Sequence, residues 1–217
     1  MTPKLVIFDC DGVLVDSEPM TCKIIAANLT RHGLPTTLAD VESFFLGGTM
    51  AAVGDEARRR GAALPDTWLN DIYADIYASL RQGVDLMPDV LPFVDLLDAA
   101  GIARAVASNG SREKMEITLT PSGLLARFAG HIYSGHDHVP KPAPDMLLRA
   151  CADAGVTPDQ AVMIDDSPAG CRAAQAAHIR CFGFAPHGEG AALAAVGAQP
   201  VRSFAAIASA LGLPQLS

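Results

Sequence analysis

The sequence predicts an open α/β fold: a doubly wound parallel sheet, Rossmann-like, that carries an all-helical insertion. Three observations lead there. Short apolar runs at 5–8, 103–107 and 161–164 have the length and continuity of strands buried on both faces. Helical patterns alternate with them, which is the order of a parallel α/β sheet. Between 16 and 82 the alternation breaks, and only helical segments occur.

Taken in order, the first strand, 5–8, runs into "DCDGVLVDSEP". Four helices follow at 18–31, 38–46, 50–60 and 66–81, separated by Gly33, Pro35, Gly47, Gly48, Gly61, Pro65 and Gly83. The chain therefore divides into a core of residues 1–15 and 83–217 and an insertion of residues 16–82, with hinges near 15–17 and 82–88. The core resumes with a helix at 88–100 closed by Gly101, the strand 103–107 and a helix at 112–119. A weaker strand at 132–133 precedes a helix at 144–154 closed by Gly155. The strand 161–164, a helix at 168–177 opened by Pro168 and a strand at 180–184 complete the alternation. The alanine-rich tail, 186–217, reads as loop, weak strand and final helix.

Composition narrows the function. With 217 residues, 50% apolar and 18% charged, the chain can bury a sizeable core. A net charge of −8 argues against sequence-independent binding to nucleic acid, yet a metal ion and a lysine could still receive an anion locally. Five cysteines, odd in number and without a CxxC pair, fit reduced thiols. No signal peptide and no apolar stretch near 20 residues is present, so the expectation is a cytoplasmic protein without membrane or nucleic-acid partners, a monomer or small homo-oligomer.

The chemistry gathers at strand ends, where parallel sheets bind ligands. The first strand ends on Asp9 with Asp11 beyond it, the second on Ser108 and the third on Asp165 and Asp166; Lys141 lies in the loop "VPKPAPD". If these strands are neighbours, four carboxylates, a hydroxyl and an ammonium meet at one edge. Unpaired, such acids would cost solvation, and a hard divalent cation with oxygen ligands, Mg2+, makes them tolerable.

"DCDGV", a serine at a strand end, "KPAPD" and "IDDSPAG" resemble, in order, the four motifs of the haloacid dehalogenase superfamily, and the insertion resembles its small helical cap. The resemblance implies Asp9 as nucleophile forming an aspartyl-phosphate, and Asp11 as general acid and then base. Ser108, Asn109, Gly110 and the backbone there would hold phosphoryl oxygens, and Lys141 would offset charge. It implies Mg2+ on the Asp9 carboxylate, the Asp11 carbonyl and Asp166, with Asp165 acting through water. Gly12 would ease the turn that lets both acids face one phosphorus. From the cap, Gly47 and Gly48 in "LGGTM" and Glu18 are candidates to approach the substrate.

Other conspicuous residues have plainer readings. Asp16 and Ser17 read as a helix cap, His136 and His138 as a polar loop, and Arg58, Arg59 and Arg60 as a solvated helix end. Trp68, Tyr73 and Tyr77 read as core or interface. The favoured activity is hydrolysis of a small phosphomonoester. "ASNGSREKMEITL", "YSGHDHVPKPAPDMLLRA" and "FAPHGEG" are similar to bacterial sugar-phosphate phosphatases of the 6-phosphogluconate type, while phosphoglycolate is an alternative substrate. A β-phosphoglucomutase-type mutase shares the motifs but carries a histidine where this chain has Thr21 and an arginine near Gly48–Thr49–Met50. A dehalogenase needs neither Asp11 nor the metal acids, and a non-enzymatic phospho-receiver orders its acids and lysine differently.

Overall fold

A computed structural model of the chain describes residues 2–44, 49–128 and 130–216. The chain forms two compact units, Met1–Asp16 with Asp85–Ser217, and Ser17–Val84.

The first unit is built on a six-stranded sheet. Its strands are β1 (Leu5–Phe8), β4 (Ala103–Ser108), β5 (Ile132–Ser134), β6 (Ala161–Asp165), β7 (Arg180–Phe184) and β8 (Gln199–Val201). They lie in the order β5-β4-β1-β6-β7-β8, and every pair is parallel. β1 is central, with Leu5 in register with Ala103 on one side and Ala161 on the other. The strand order reverses there, which makes the carboxyl end of β1 the switch point where such sheets bind ligands.

Side chains alternate across the sheet with the period of a strand. Leu5, Ile7, Ala105, Ala107 and Met163 pack with α8 (Asp145–Asp153) and α9 (Pro168–Ala176). On the other face Phe8 meets Phe93 of α5 (Val90–Ala99) edge-on at 6.0 Å and Phe128 at 5.8 Å. Phe204 of α11 (Phe204–Ala210) stacks on Phe93 at 4.9 Å. α6 (Arg112–Leu119) and the short α7 (Leu124–Arg127) link β4 to β5, a 3-10 turn (Pro158–Gln160) precedes β6, and α10 (Ala191–Ala194) lies between β7 and β8. The sequence did not signal α7, α10 or the 3-10 turn, each four residues or fewer.

At the two crossings a small antiparallel ribbon forms, β2 (Val15–Asp16) with β3 (Asp85–Leu86), pairing Val15 with Leu86 and Asp16 with Asp85. These segments were expected only as hinges, since two residues a side are too few to show a strand pattern.

The second unit is all helical: α1 (Glu18–Arg31), α2 (Leu38–Phe44), α3 (Met50–Arg59) and α4 (Trp68–Leu80). Its core is the buried stripe Trp68, Ile72, Ile76 and Leu80 on α4. Trp68 Nε1 donates to Asn28 Oδ1 at 2.7 Å, and Gly54 of α3 is small because a Cβ there would lie 2.6 Å from the indole. Trp68 is thus core, as expected. Tyr73 and Tyr77 sit one residue off that stripe, about 100° round the helix; Tyr73 is exposed and Tyr77 only partly buried, so of the core-or-interface expectation the core half does not hold for this pair. Ser17 occupies the N-cap position of α1 without a side-chain cap bond; it stands at φ −85°, ψ −14°, whereas a capping side chain needs extended backbone. Arg58, Arg59 and Arg60 end α3 in exposed pairs with Asp55 and Glu56. Among the described residues no helix is long and apolar enough to cross a membrane.

Candidate active site

Three strands of the first unit deliver their end residues to one edge. β1 and β6 are neighbours, so the residues after Phe8 and Ile164 come side by side, and the Asp9 N–H donates to the Ile164 carbonyl at 2.9 Å. Carboxylate oxygens of Asp9, Asp165 and Asp166 lie within 4.8 Å of one another, the one group of three metal-ligating side chains among the described residues. The cation expected of Lys141 is there: its Nζ is 3.0 Å from Asp9 Oδ1 and 2.7 Å from Asp165 Oδ2, with the side chain 2% exposed.

Glycines make the approach. Gly12 adopts φ +72°, and a Cβ there would stand 2.0 Å from Asp166 Oδ2, so both the turn and the neighbour require glycine. Gly170, in the first turn of α9, leaves room for Asp165, whose carboxylate a Cβ would meet at 1.7 Å. The cap of α9 is Ser167, whose hydroxyl accepts the Gly170 N–H at 3.1 Å. The two aspartates before it are therefore not spent as a cap. Asp165 has both oxygens engaged, Oδ2 by Lys141 and Oδ1 by the N–H and hydroxyl of Ser167 at 2.9 and 2.7 Å.

The electrostatics follow from burial. Desolvation, with Asp165 and Asp11 nearby and Lys141 opposing, pushes the Asp9 carboxyl up to about 6. Desolvation, then Asp9 and Asp165, pushes Asp166 up to about 8. Burial works against the Lys141 ammonium, but Asp165 and Asp9 outweigh it and raise its pKa. Four carboxylates (Asp9, Asp11, Asp165, Asp166) face two ammoniums, because Lys114 Nζ lies 2.8 Å from Asp11 Oδ1. The remaining negative charge and the all-oxygen donor set fit a hard divalent cation.

Ser108 ends β4 in the same edge, its hydroxyl accepting the Gly110 N–H at 3.1 Å. Asn109 clamps the Lys141 backbone in both directions: Nδ2 donates to its carbonyl at 2.9 Å, and Oδ1 accepts its N–H at 2.7 Å. Ser134, fully buried at the end of β5, donates to the Gly110 carbonyl at 2.7 Å and holds that loop from below. Sequence reading missed the Asn109 clamp, Ser134 and Lys114. Only Lys114 had a local signal, a basic residue in the first turn of the helix that follows a site-forming strand. Glu18 belongs to the other unit, where it is exposed at the start of α1. Gly47 and Gly48 lie outside the described residues. His136 and His138 enter no metal-ligating cluster among the described residues, and Asp137 between them pairs with Arg112 at 3.4 Å.

The fold and site define an α/β protein with an acid cluster and a buried lysine at the switch point of its parallel sheet. The model of the haloacid dehalogenase-like hydrolases matches residues 3–178, and the chain belongs to that family. Protein SUPPRESSOR OF QUENCHING 1, chloroplastic, of Arabidopsis thaliana is 34% identical over 82% of this chain, which spans only 17% of that protein's length. The 6-phosphogluconate phosphatase of Escherichia coli K12 is 27% identical over 85% of this chain and 84% of its own. Among solved structures, a haloacid dehalogenase family hydrolase from Deinococcus radiodurans R1, with bound phosphate and sodium, superposes with a TM-score of 0.83 at 28% identity, covering 97% of this chain and 96% of that one. The chain is an enzyme of the phosphatase type within this family.

Proposed function

We propose that the protein is a Mg2+-dependent hydrolase of small phosphomonoesters, acting through an aspartyl-phosphate on Asp9. The observation that carries this reading is the Asp9–Lys141–Asp165 contact beside Asp166, at the carboxyl edge of β1 and β6. Asp9 and Asp166, with the Asp11 carbonyl, would hold the cation, and Asp165 would act from the layer behind. When bound, Mg2+ supplies charge that draws phosphoryl oxygens into the cluster and keeps Asp9 ionised.

Asp9 forms a bond to phosphorus as the bond from phosphorus to the alcohol oxygen breaks, and that oxygen takes the proton of the Asp11 carboxyl. Water then attacks phosphorus, gives a proton to Asp11 and releases inorganic phosphate, restoring the Asp9 carboxylate. Lys141 neutralises charge that builds between nucleophile and phosphoryl oxygens, and it can do so without moving because Asn109 fixes its backbone. Ser108, the Asn109 N–H and the turn at Gly110 complete the phosphoryl cradle, with the Gly110 N–H holding the Ser108 hydroxyl. The helical unit, residues 17–84, acts as the cap that selects the rest of the molecule, with Gly47, Gly48 and Glu18 as its candidate substrate contacts.

A sugar phosphate of the 6-phosphogluconate kind is the favoured substrate, supported by the likeness to the Escherichia coli enzyme. The five cysteines, all buried and unpaired, favour a reducing compartment such as the cytoplasm. The test is phosphate release with magnesium and with chelator across 6-phosphogluconate, hexose 6-phosphates, phosphoglycolate and β-glucose 1-phosphate. Magnesium-dependent release with one compound preferred is expected. Conversion of β-glucose 1-phosphate to the 6-phosphate without release would establish a mutase instead.

A further inference from the structure

We propose that Lys114 is the positioning residue for Asp11, fixing which of its carboxyl oxygens is presented for proton transfer; this rests on the phosphomonoesterase reading above. Lys114 is the third residue of α6, and its N–H donates to the Ser111 hydroxyl at 3.1 Å, so the turn that carries it is fixed at its cap. Its Nζ stands 2.8 Å from Asp11 Oδ1, and its side chain is 20% exposed. One turn further along, Thr118 Oγ1 lies 3.8 Å from Cys10 Sγ, so this face of α6 runs along the Cys10–Asp11 backbone. Gly110 lies beside both Asp11 Oδ2 and the Lys114 side chain. A Cβ there would lie 3.4 Å from Ser108 Oγ and 3.8 Å from both Asp11 Oδ2 and Lys114 Cδ.

These distances separate the two oxygens of Asp11. Oδ1 faces the ammonium, and Oδ2 faces the Ser108–Gly110 loop that would cradle the phosphoryl group. Rotation of an aspartate carboxyl about its last torsion is broad and nearly two-fold, so the side chain alone does not choose between them. The ammonium does: it donates to Oδ1, and the proton that Asp11 gives or receives rides on Oδ2. The location of Lys114 is otherwise unfavourable, since the first turn of a helix repels cations and favours acids. Stabilising α6 would call for the opposite charge. Loss of the ammonium removes the donor that holds Oδ1, which lowers the fraction of molecules with Oδ2 aimed at the leaving oxygen.

The experiment compares the full chain with Lys114→Met and Lys114→Gln, with magnesium, in single-turnover phosphoryl transfer from two esters. One is an alkyl ester, 6-phosphogluconate or whichever alkyl substrate the wild type prefers, whose leaving oxygen needs a proton. The other is p-nitrophenyl phosphate, whose phenolate departs without one. General acid assistance is worth about 10²–10⁴-fold, so misorientation is expected to slow the alkyl ester about tenfold or more, with a clearly smaller loss on the nitrophenyl ester. The glutamine variant keeps a polar donor and serves if the methionine variant fails to fold. Equal losses on both esters would reduce Lys114 to a structural part, and no loss on either would give it no part; both overturn the proposal. Wild-type protein that releases phosphate from neither ester would instead overturn the phosphomonoesterase reading, and this inference with it.

Discussion

Without a divalent cation the acid cluster should make the protein less stable as pH rises towards neutrality, the reverse of ordinary acid denaturation. Asp166 moves from 3.8 in the open chain to about 8 in the folded one, and Asp9 from 3.8 to about 6. A carboxyl raised in the folded state binds protons more tightly there than in the unfolded chain. Its favourable contribution is complete below 3.8 and is lost as pH climbs to the folded value. Between pH 5 and 8 Asp166 alone forfeits about three pKa units, roughly 4 kcal/mol at about 1.4 kcal/mol per unit. Asp9 adds less, because its range ends near 6 and because each acid is part of what raises the other. Lys141, raised above its ordinary value, stays charged throughout and does not alter the slope. The carboxylates of Asp40, Glu56 and Asp153, outside the cluster, are held low by hydrogen bonds, so their contributions are in place above their ordinary range and vary only in acid. Thermal unfolding in chelator should therefore show a midpoint roughly 8–16 °C lower at pH 8 than at pH 5, at about 2–4 °C per kcal/mol for a chain of this size. Saturating magnesium should restore most of it at pH 8, because a bound cation favours the ionised acids. A midpoint in chelator that is flat or rises over this window, or that ignores magnesium at pH 8, would refute the reasoning.

Three substitutions extend the test. Asp9→Asn should abolish turnover while leaving the unfolding midpoint in chelator at neutral pH no lower than wild type, since it removes a buried charge; appreciable turnover in a folded sample would remove Asp9 as nucleophile. Gly12→Ala forces an L-residue to φ +72° at about 1–2 kcal/mol and drives a Cβ to 2.0 Å from Asp166 Oδ2. Magnesium affinity measured by titration calorimetry should fall about 10–100-fold, whereas Gly101→Ala, at φ +66° with nothing within 4 Å of its Cβ, should cost stability alone. Asn109→Ala removes both bonds to the Lys141 backbone; at about 1 kcal/mol each the midpoint should drop by several degrees and kcat should fall more than KM rises, and an unchanged kcat would show that Lys141 needs no clamp.

What the sequence disclosed was what is encoded locally. The strand 5–8 and the helices 18–31 and 112–119 have the predicted limits because apolar runs and terminal residues mark them within a few positions. Asp9, Asp165, Asp166 and Lys141 were legible because each follows a strand end or sits in a distinctive loop, and a parallel sheet collects such ends at one edge. The two-residue ribbon β2–β3 was not legible, since its partners are some 70 positions apart and neither is long enough to show a period. Tyr73 and Tyr77 lie one helical position off the Trp68, Ile72, Ile76, Leu80 stripe, so a core-or-interface reading of the aromatics together did not separate them from Trp68. The Ser134 bond to Gly110 and the pair of hydrogen bonds between the Asn109 side chain and the Lys141 backbone form only once the chain has folded β4 and β5 together, and no spacing announces that.

The choice of aspartate at the end of a buried strand is explained by the balance around it. A single buried acid would be neutralised by protonation, and an acid paired one-to-one with a lysine would be inert. Here one lysine is shared between Asp9 and Asp165, and the hydroxyl and N–H of Ser167 occupy the second oxygen of Asp165. Asp165 is thereby committed through both oxygens, which leaves Asp9 only half-compensated and, among the described residues, Asp166 without a cation at contact distance. The cluster is thus held rigidly but short of positive charge, and rigidity comes from Ser167, Ser134, the Asn109 side chain and the glycines at 12 and 170. Such an arrangement is a poor way to stabilise a fold, as the rise of Asp166 to about 8 shows. It suits the divalent cation proposed above, which would meet the deficit itself and offer its open positions to an anionic phosphoryl group.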